Sequence, residues 1–176
     1  MKLLYFKEHL SCINYQINVN TGFVYYNLEK DSVSKIDNSA SPCILFLLDG
    51  EVSIDSGEYQ NVHIEKDKMV LIPQHVDNKI EVIYDAKCLL LFWNKDIRVC
   101  DKVYMNSLSS YKERKKEMCV LPIRDPLQAV LNSVVAYLYA KMQCKHMHLI
   151  KQQEVLLVLR GYYTLSLIHI SEPTRP

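Results

Sequence analysis

Side chains able to do chemistry are sparse in this chain and poorly spaced for it. Cys144-Lys145-His146-Met147-His148 is the densest group of metal donors. On a helix Cys144 and His148 share a face while His146 points away, and no carboxylate or third soft donor follows at useful spacing. The segment therefore reads as a turn between helices that carries a histidine pair. His75 follows Pro73 by two residues and reads as a loop or pocket-rim side chain, because a lone imidazole does not make a metal site. His63 alternates with Val62 and Ile64, which turns it toward solvent. Asp49, Glu51 and Asp55 are a turn residue and two members of a strand's polar face, so they do not form an acid–base pair. The sequence has no Gly-x-Ser-x-Gly elbow, phosphate-cradling loop or His-Glu-x-x-His helix, and only four glycines in all. No catalytic residue, metal or cofactor is expected.

The elements that would position any site come from periodicity and turn residues. Strands are expected at Cys12 to Val19, Phe23 to Leu28, Ile44 to Leu48, Glu51 to Asp55, Val62 to Ile64, Met69 to Ile72, Ile80 to Tyr84 and Cys88 to Trp93. Asn20-Thr21-Gly22 and Asp49-Gly50 supply turns, and Lys35 to Ser41 is a loop. Val52 and Ile54 alternate with polar neighbours, whereas Ile44 to Leu48 and Leu89 to Trp93 are apolar on both sides. Such strands need cover on both faces. Barrel interior covers one, and a helix or partner subunit must cover the other. After residue 120, Asp125-Pro126 reads as a helix start, with Leu127, Val130, Leu131, Val134, Val135, Leu138 and Met142 at helical spacing. A second helix is expected from about His146–Leu149 to Tyr163, with Leu149, Leu156, Leu159 and Tyr163 near one face.

Composition bounds the function. The 176 residues suit one domain with a helical appendage, and the formal net charge of +1 offers no field for gripping a polyanion. Lys112 to Glu117 mixes signs and reads as a solvated segment. Charges interrupt the amino terminus before a signal-peptide core can form, and no segment is long and apolar enough for a membrane, so a cytoplasmic protein is expected. The six cysteines, Cys12, Cys43, Cys88, Cys100, Cys119 and Cys144, contain no Cys-x-x-Cys pair and read as reduced small hydrophobes.

The strand pattern from Ile44 to Asp55 with Met69-Val70-Leu71-Ile72-Pro73 resembles the cupins, although Asp37 to Cys43 lacks the histidines of a metal-binding cupin. Together with Phe23-Val24-Tyr25-Tyr26, Cys100-Asp101-Lys102, Leu121-Pro122-Ile123 and the run Glu154 to Tyr163, the chain resembles the amino-terminal half of AraC-type transcriptional regulators. The implied fold is α+β: a cupin-like double-stranded β-helix, or jelly-roll barrel, followed by an α-helical hairpin. Its expected division is a barrel over residues 1–104, a linker and hairpin over 105–164, and a non-native tail over 165–176. That tail, Leu165 to Pro176, resembles the translation of transposon-derived sequencing-adapter DNA, so the native frame is expected to end near Thr164. The resemblance implies a module that senses a small-molecule effector, forms a homodimer, or both. DNA contact would be made only by a helix-turn-helix half absent from this chain. Ligand-contacting candidates are Tyr25, Phe46, His75 and Trp93, near the barrel interior or mouth. Leu131, Val135, Leu138, Leu156 and Leu159 are expected in the helical seam. The alternatives are a stand-alone cupin-fold enzyme, a small-molecule-binding protein, or a barrel filled by its own side chains.

Overall fold

The structure, a computed structural model, describes residues 22–92, 118–142 and 144–163. Seven strands precede two helices: β1 Gly22–Leu28, β2 Val33–Ser34, β3 Cys43–Ser56, β4 Tyr59–Glu65, β5 Lys68–Ile72, β6 Asn78–Phe92, β7 Val120–Pro122, α1 Asp125–Tyr139 and α2 Lys145–Tyr163. The expected strand Cys12 to Val19 and the motif at Cys100 lie outside the described residues, as does Lys112 to Glu117.

Two long antiparallel strands, β3 and β6, form the spine. Cys43–Leu47 pairs with Phe92–Cys88, and Val52–Ser56 pairs with Val82–Asn78. The first half of β3 also pairs with β5, and its second half with β4. Sheet order through the first half is β1-β6-β3-β5-β7, while β2 and β4 extend the other half. Asp49-Gly50 is therefore not a hairpin turn. It lies inside one continuous strand, where the β3–β6 register shifts between Leu47 and Val52. Such bulges bend a strand and re-aim its side chains. Gly50 is required there because φ is +83° and a Cβ would stand 2.1 Å from the Asp85 carbonyl oxygen. The separate strands expected at Ile80–Tyr84 and Cys88–Trp93 are likewise one strand, with Asp85 and Ala86 lying opposite the bend.

That bend folds the sheet over itself. Cys43, Leu45, Leu47, Val70, Cys88 and Leu90 from one half share a buried cluster with Val52, Ile54, Ile64, Ile80 and Val82 from the other. The opposite face of the first half, Phe23, Ile44, Phe46, Met69, Leu89 and Leu91, packs in a second cluster with both helices. The double-sided apolarity of Ile44–Leu48 and Leu89–Phe92 is thus used on both sides, roll interior against one and helices against the other. The expected α+β class, an antiparallel β-roll followed by a helical hairpin, is the one observed.

α1 begins one residue earlier than a cap at Asp125 would place it: Arg124 is the extended N-cap, and Asp125 sits in the first turn beside Pro126. A carboxylate there favours the positive end of the helix dipole. The helix stops at Tyr139, short of Met142, because Lys141 adopts a left-handed conformation with φ of 57°. The Met142 N–H then donates to the Tyr137 carbonyl and the Lys141 N–H to the Leu138 carbonyl, which is a Schellman closure.

Candidate functional site

Between β1, β2 and β6 the roll forms a half-open cavity of about 370 Å³. Its wall is built by strand parity. Tyr26 and Leu28 of β1, Leu45 of β3 and Ile80, Cys88, Leu90 and Phe92 of β6 face it, and the segment Ser34–Asp37 forms one rim. The cavity floor, Leu45, Ile80, Leu90 and Phe92, is apolar, and its rim is polar. At the rim, Asp37 is committed locally: Ser39 donates from Oγ at 2.6 Å and from its backbone N–H at 3.1 Å to Asp37 Oδ1, and these bonds, the hydroxyl's first, hold the carboxyl below its usual range. Lys35 is exposed and makes no ion pair with the described residues. Burial pushes the Cys88 thiol up to about 12, so it is a small apolar wall element and not a nucleophile.

The end of the roll next to this cavity is tied by amides. Asn78 Oδ1 accepts from the Ile36 N–H at 2.8 Å and its Nδ2 donates back to the Ile36 carbonyl at 2.9 Å. Asn38 Nδ2 donates to the Pro73 and Val76 carbonyls. Both asparagines are buried, and these bonds fix the loop that carries Lys35 and Asp37 against the start of β6.

Tyr25 and Phe46 do not line the cavity. Each points to the opposite face of the sheet, into the cluster shared with the helices; the Tyr25 ring meets that of Tyr139 of α1 at a tilt of 60°, centroids 5.4 Å apart. Burial, with smaller contributions from Tyr139, pushes the Tyr25 phenol up to about 12. Their neighbours Tyr26 and Leu45 take the positions expected of them, a shift of one residue that exchanges the faces of a strand. His75 is exposed, in a turn with φ of 60°, and its N–H reaches the Asn38 carbonyl at 3.3 Å, so it stands at the tied end and away from the cavity lining. Trp93 lies outside the described residues. Leu131, Val135, Leu138, Leu156 and Leu159 are brought together as a seam, all within or packed against the helix-facing cluster. Leu149 is not part of it and is 41% exposed.

The Cys144–His148 segment resolves into capping and packing. Cys144 Sγ accepts from the Met147 N–H at 3.4 Å, and the Cys144 carbonyl accepts from the His148 N–H, so the cysteine caps α2. His146 is exposed and His148 is buried against β1. His63 is exposed and lies 3.0 Å from Glu51. Among the described residues no group of three or more His, Cys, Asp or Glu side chains is placed to hold a metal ion, and no helix is long and apolar enough to cross a membrane.

No family model matches the sequence, and no curated protein matches it. Solved structures do resemble part of it. They include an RmlC-like cupin family protein with a double-stranded β-helix fold from Methanocaldococcus jannaschii (TM-score 0.37, 15% identity, 40% of this chain and 66% of that one). A cupin 2 conserved barrel domain protein from Leptotrichia buccalis is similar at TM-score 0.36 and 16% identity, over 39% of this chain and 32% of that one. A cupin-2 domain containing protein from Shewanella frigidimarina is similar at TM-score 0.35 and 17% identity, over 43% and 71%. The chain thus spans less than two thirds of the length of the first two, and neither ligand nor activity transfers from any of them.

Proposed function

We propose that this chain is the effector-sensing part of an AraC-type transcriptional regulator, a cytosolic module that takes a small molecule into its roll. It makes no DNA contact of its own. Promoter contact would belong to a helix-turn-helix half outside these 176 residues. The observation that supports the reading is the 370 Å³ apolar-floored cavity on one side of a sheet whose other side carries the helical hairpin. Leu45, Cys88 and Leu90 face the cavity, and their chain neighbours Phe46, Leu89 and Leu91 face the helices. An occupant that moves β3 or β6 therefore displaces the seam through the thickness of a single sheet. Close-packed interiors transmit such displacements, and a ligand shifts a hairpin arrangement by as much as its affinity for the two arrangements differs. The same reading makes the protein a homodimer. Ile150, Leu157 and Tyr162 of α2 are exposed apolar side chains available to a second copy.

Thermal-shift screening of a small-molecule panel tests the sensor. An effector at a hundred times its Kd stabilises the protein by about 2.7 kcal/mol, and Cys88→Phe, which places a ring in the cavity, should abolish the shift. A shift that survives Cys88→Phe puts binding elsewhere. A panel without hits, combined with a Cys88→Phe variant more stable than wild type, would make the void a packing defect and overturn the sensor. Metal analysis of the purified protein separates it from a cupin-type enzyme, and size-exclusion chromatography at high concentration showing only monomer would overturn the dimer.

A further inference from the structure

His148, in the first turns of α2, is the one histidine among the described residues that is buried, at 5% exposure. It joins the two halves of the molecule. The Phe23 N–H at the start of β1 donates to His148 Nδ1 at 3.0 Å, and the imidazole stacks on the Phe23 ring with centroids 6.1 Å apart. An Nδ1 that accepts carries no proton, so the ring is neutral with its hydrogen on Nε2. That Nε2 is buried and has no hydrogen-bond partner among the described residues. Gly22 makes room for the ring: a Cβ there would lie 2.8 Å from Nδ1, at a backbone φ of +146°.

Among the described residues no carboxylate is placed against this ring to support a cation. β1 contains no charged residue, its titratable groups being Tyr25 and Tyr26. α1 contributes Tyr137, Tyr139 and, at its far end, Asp125. On α2 itself the nearest titratable groups are Cys144, Lys145, His146 and Lys151; Lys151 is engaged with Glu154 and with the face of Tyr137. Burial alone lowers the affinity of this imidazole for a proton. A proton added at Nδ1 would set two N–H donors against each other where one bond now exists.

We propose that the Phe23–His148 hydrogen bond is a proton-operated latch: it holds the amino-terminal end of α2 on the roll while the imidazole is neutral and releases it when the imidazole is protonated. The released ring must turn out to water to be solvated, and the first turn of α2 goes with it. The seam from Val155 to Tyr163, which contains no titrating hinge, stays in place. The latch does not depend on an occupied cavity and stands or falls separately from the sensor.

The test is solution NMR of the full chain between pH 7.5 and 4.5. The His148 ring should titrate below its ordinary value of about 6.5. Below about pH 6.5 and down to the ring's own lowered value, the exchange protection of the Phe23 amide should fall about tenfold per pH unit, as one proton taken up on opening requires. In His148→Asn, which keeps an acceptor and loses the titration, Phe23 protection should not vary with pH. In Gly22→Ala the amide should be unprotected throughout. If His148→Asn fails to fold, the wild-type titration decides alone. Phe23 protection that stays constant from pH 7 to 5, or a ring that titrates with no response of the Phe23 amide, would overturn the latch.

Discussion

Removing one oxygen from Tyr163 should loosen the hairpin from the roll. At the end of α2 this phenol is 3% exposed. Its hydroxyl donates to the Pro122 carbonyl of β7 at 2.8 Å and accepts from the Arg124 N–H at 2.8 Å. It therefore bridges β7 and the N-cap of α1 from the far end of α2, closing the hairpin onto the sheet at that point. The Arg124 guanidinium lies over the ring, 5.5 Å from its centroid. Tyr163→Phe keeps the ring, its packing and that cation contact, and deletes only the two hydrogen bonds. Each is worth about 1 kcal/mol net, with a further cost if the carbonyl or the N–H is left dry, so a loss of about 1–3 kcal/mol is expected. In a chain of this size that is a fall in Tm of about 3–10 °C. Urea titration followed by circular dichroism measures it, with Tyr162→Phe as control, because Tyr162 is 52% exposed and should change stability by less than about 0.5 kcal/mol. An unchanged m-value would locate the effect in stability and not in a native state already opened. If Tyr163→Phe is as neutral as its neighbour, the bridge does not hold the hairpin.

Leu131→Ala should cost about 2–5 kcal/mol by urea denaturation, because Leu131 is fully buried in the helix-facing cluster, whereas Leu149→Ala should fall within about 0.5 kcal/mol of wild type. Gly50→Ala should destabilise by more than the roughly 1–2 kcal/mol that a left-handed φ alone costs, since its Cβ meets the Asp85 carbonyl as well; a thermal melt indistinguishable from wild type would remove the bend from its supposed place. For pH, the sign follows from His148. Its proton affinity is lowered by burial in the fold, so the unfolded chain binds more protons below about pH 6.5, and stability should fall as pH drops through that value; His148→Asn should remove that part of the pH dependence. Alkylation with iodoacetamide at pH 8, mapped by peptide mass, should modify Cys119 well before Cys43 and Cys88, whose thiols burial pushes up to about 12.

The architecture was legible where the sequence carries a period and illegible where a bond partner decides. Ile44–Leu48 and Leu89–Phe92 announce a sheet covered on both faces, which implies a roll on one side and a helix or a partner subunit on the other; the helical spacing after residue 120 supplies the helices. Parity within those strands is another matter. Nothing in Phe23-Val24-Tyr25-Tyr26 states which tyrosine faces the helices, because an aromatic suits either side: Tyr25 is half-buried and Tyr26 is 41% exposed, and only the pairing of Tyr26 with Cys88 and of Tyr25 with Leu89 settles it. Asp49-Gly50 has the composition of a tight turn, and the same composition serves a bulge, since both need a residue at positive φ. What distinguishes them is the partner strand: β6 continues past the bend at Asp85 and Ala86, so β3 must continue too. In α2 the inward face is written partly in polar letters. His148 and Gln152 are buried beside Val155, Leu156, Leu159 and Tyr163, and a reading that follows apolar residues alone drifts to Leu149 and misses the imidazole. A buried polar side chain is invisible to hydrophobic periodicity and visible only through its bond. For His148 that bond is to a backbone N–H 125 residues away, which is why, of the two polar ties between α2 and the roll, the one at His148 is the less suggested by its surroundings in the chain.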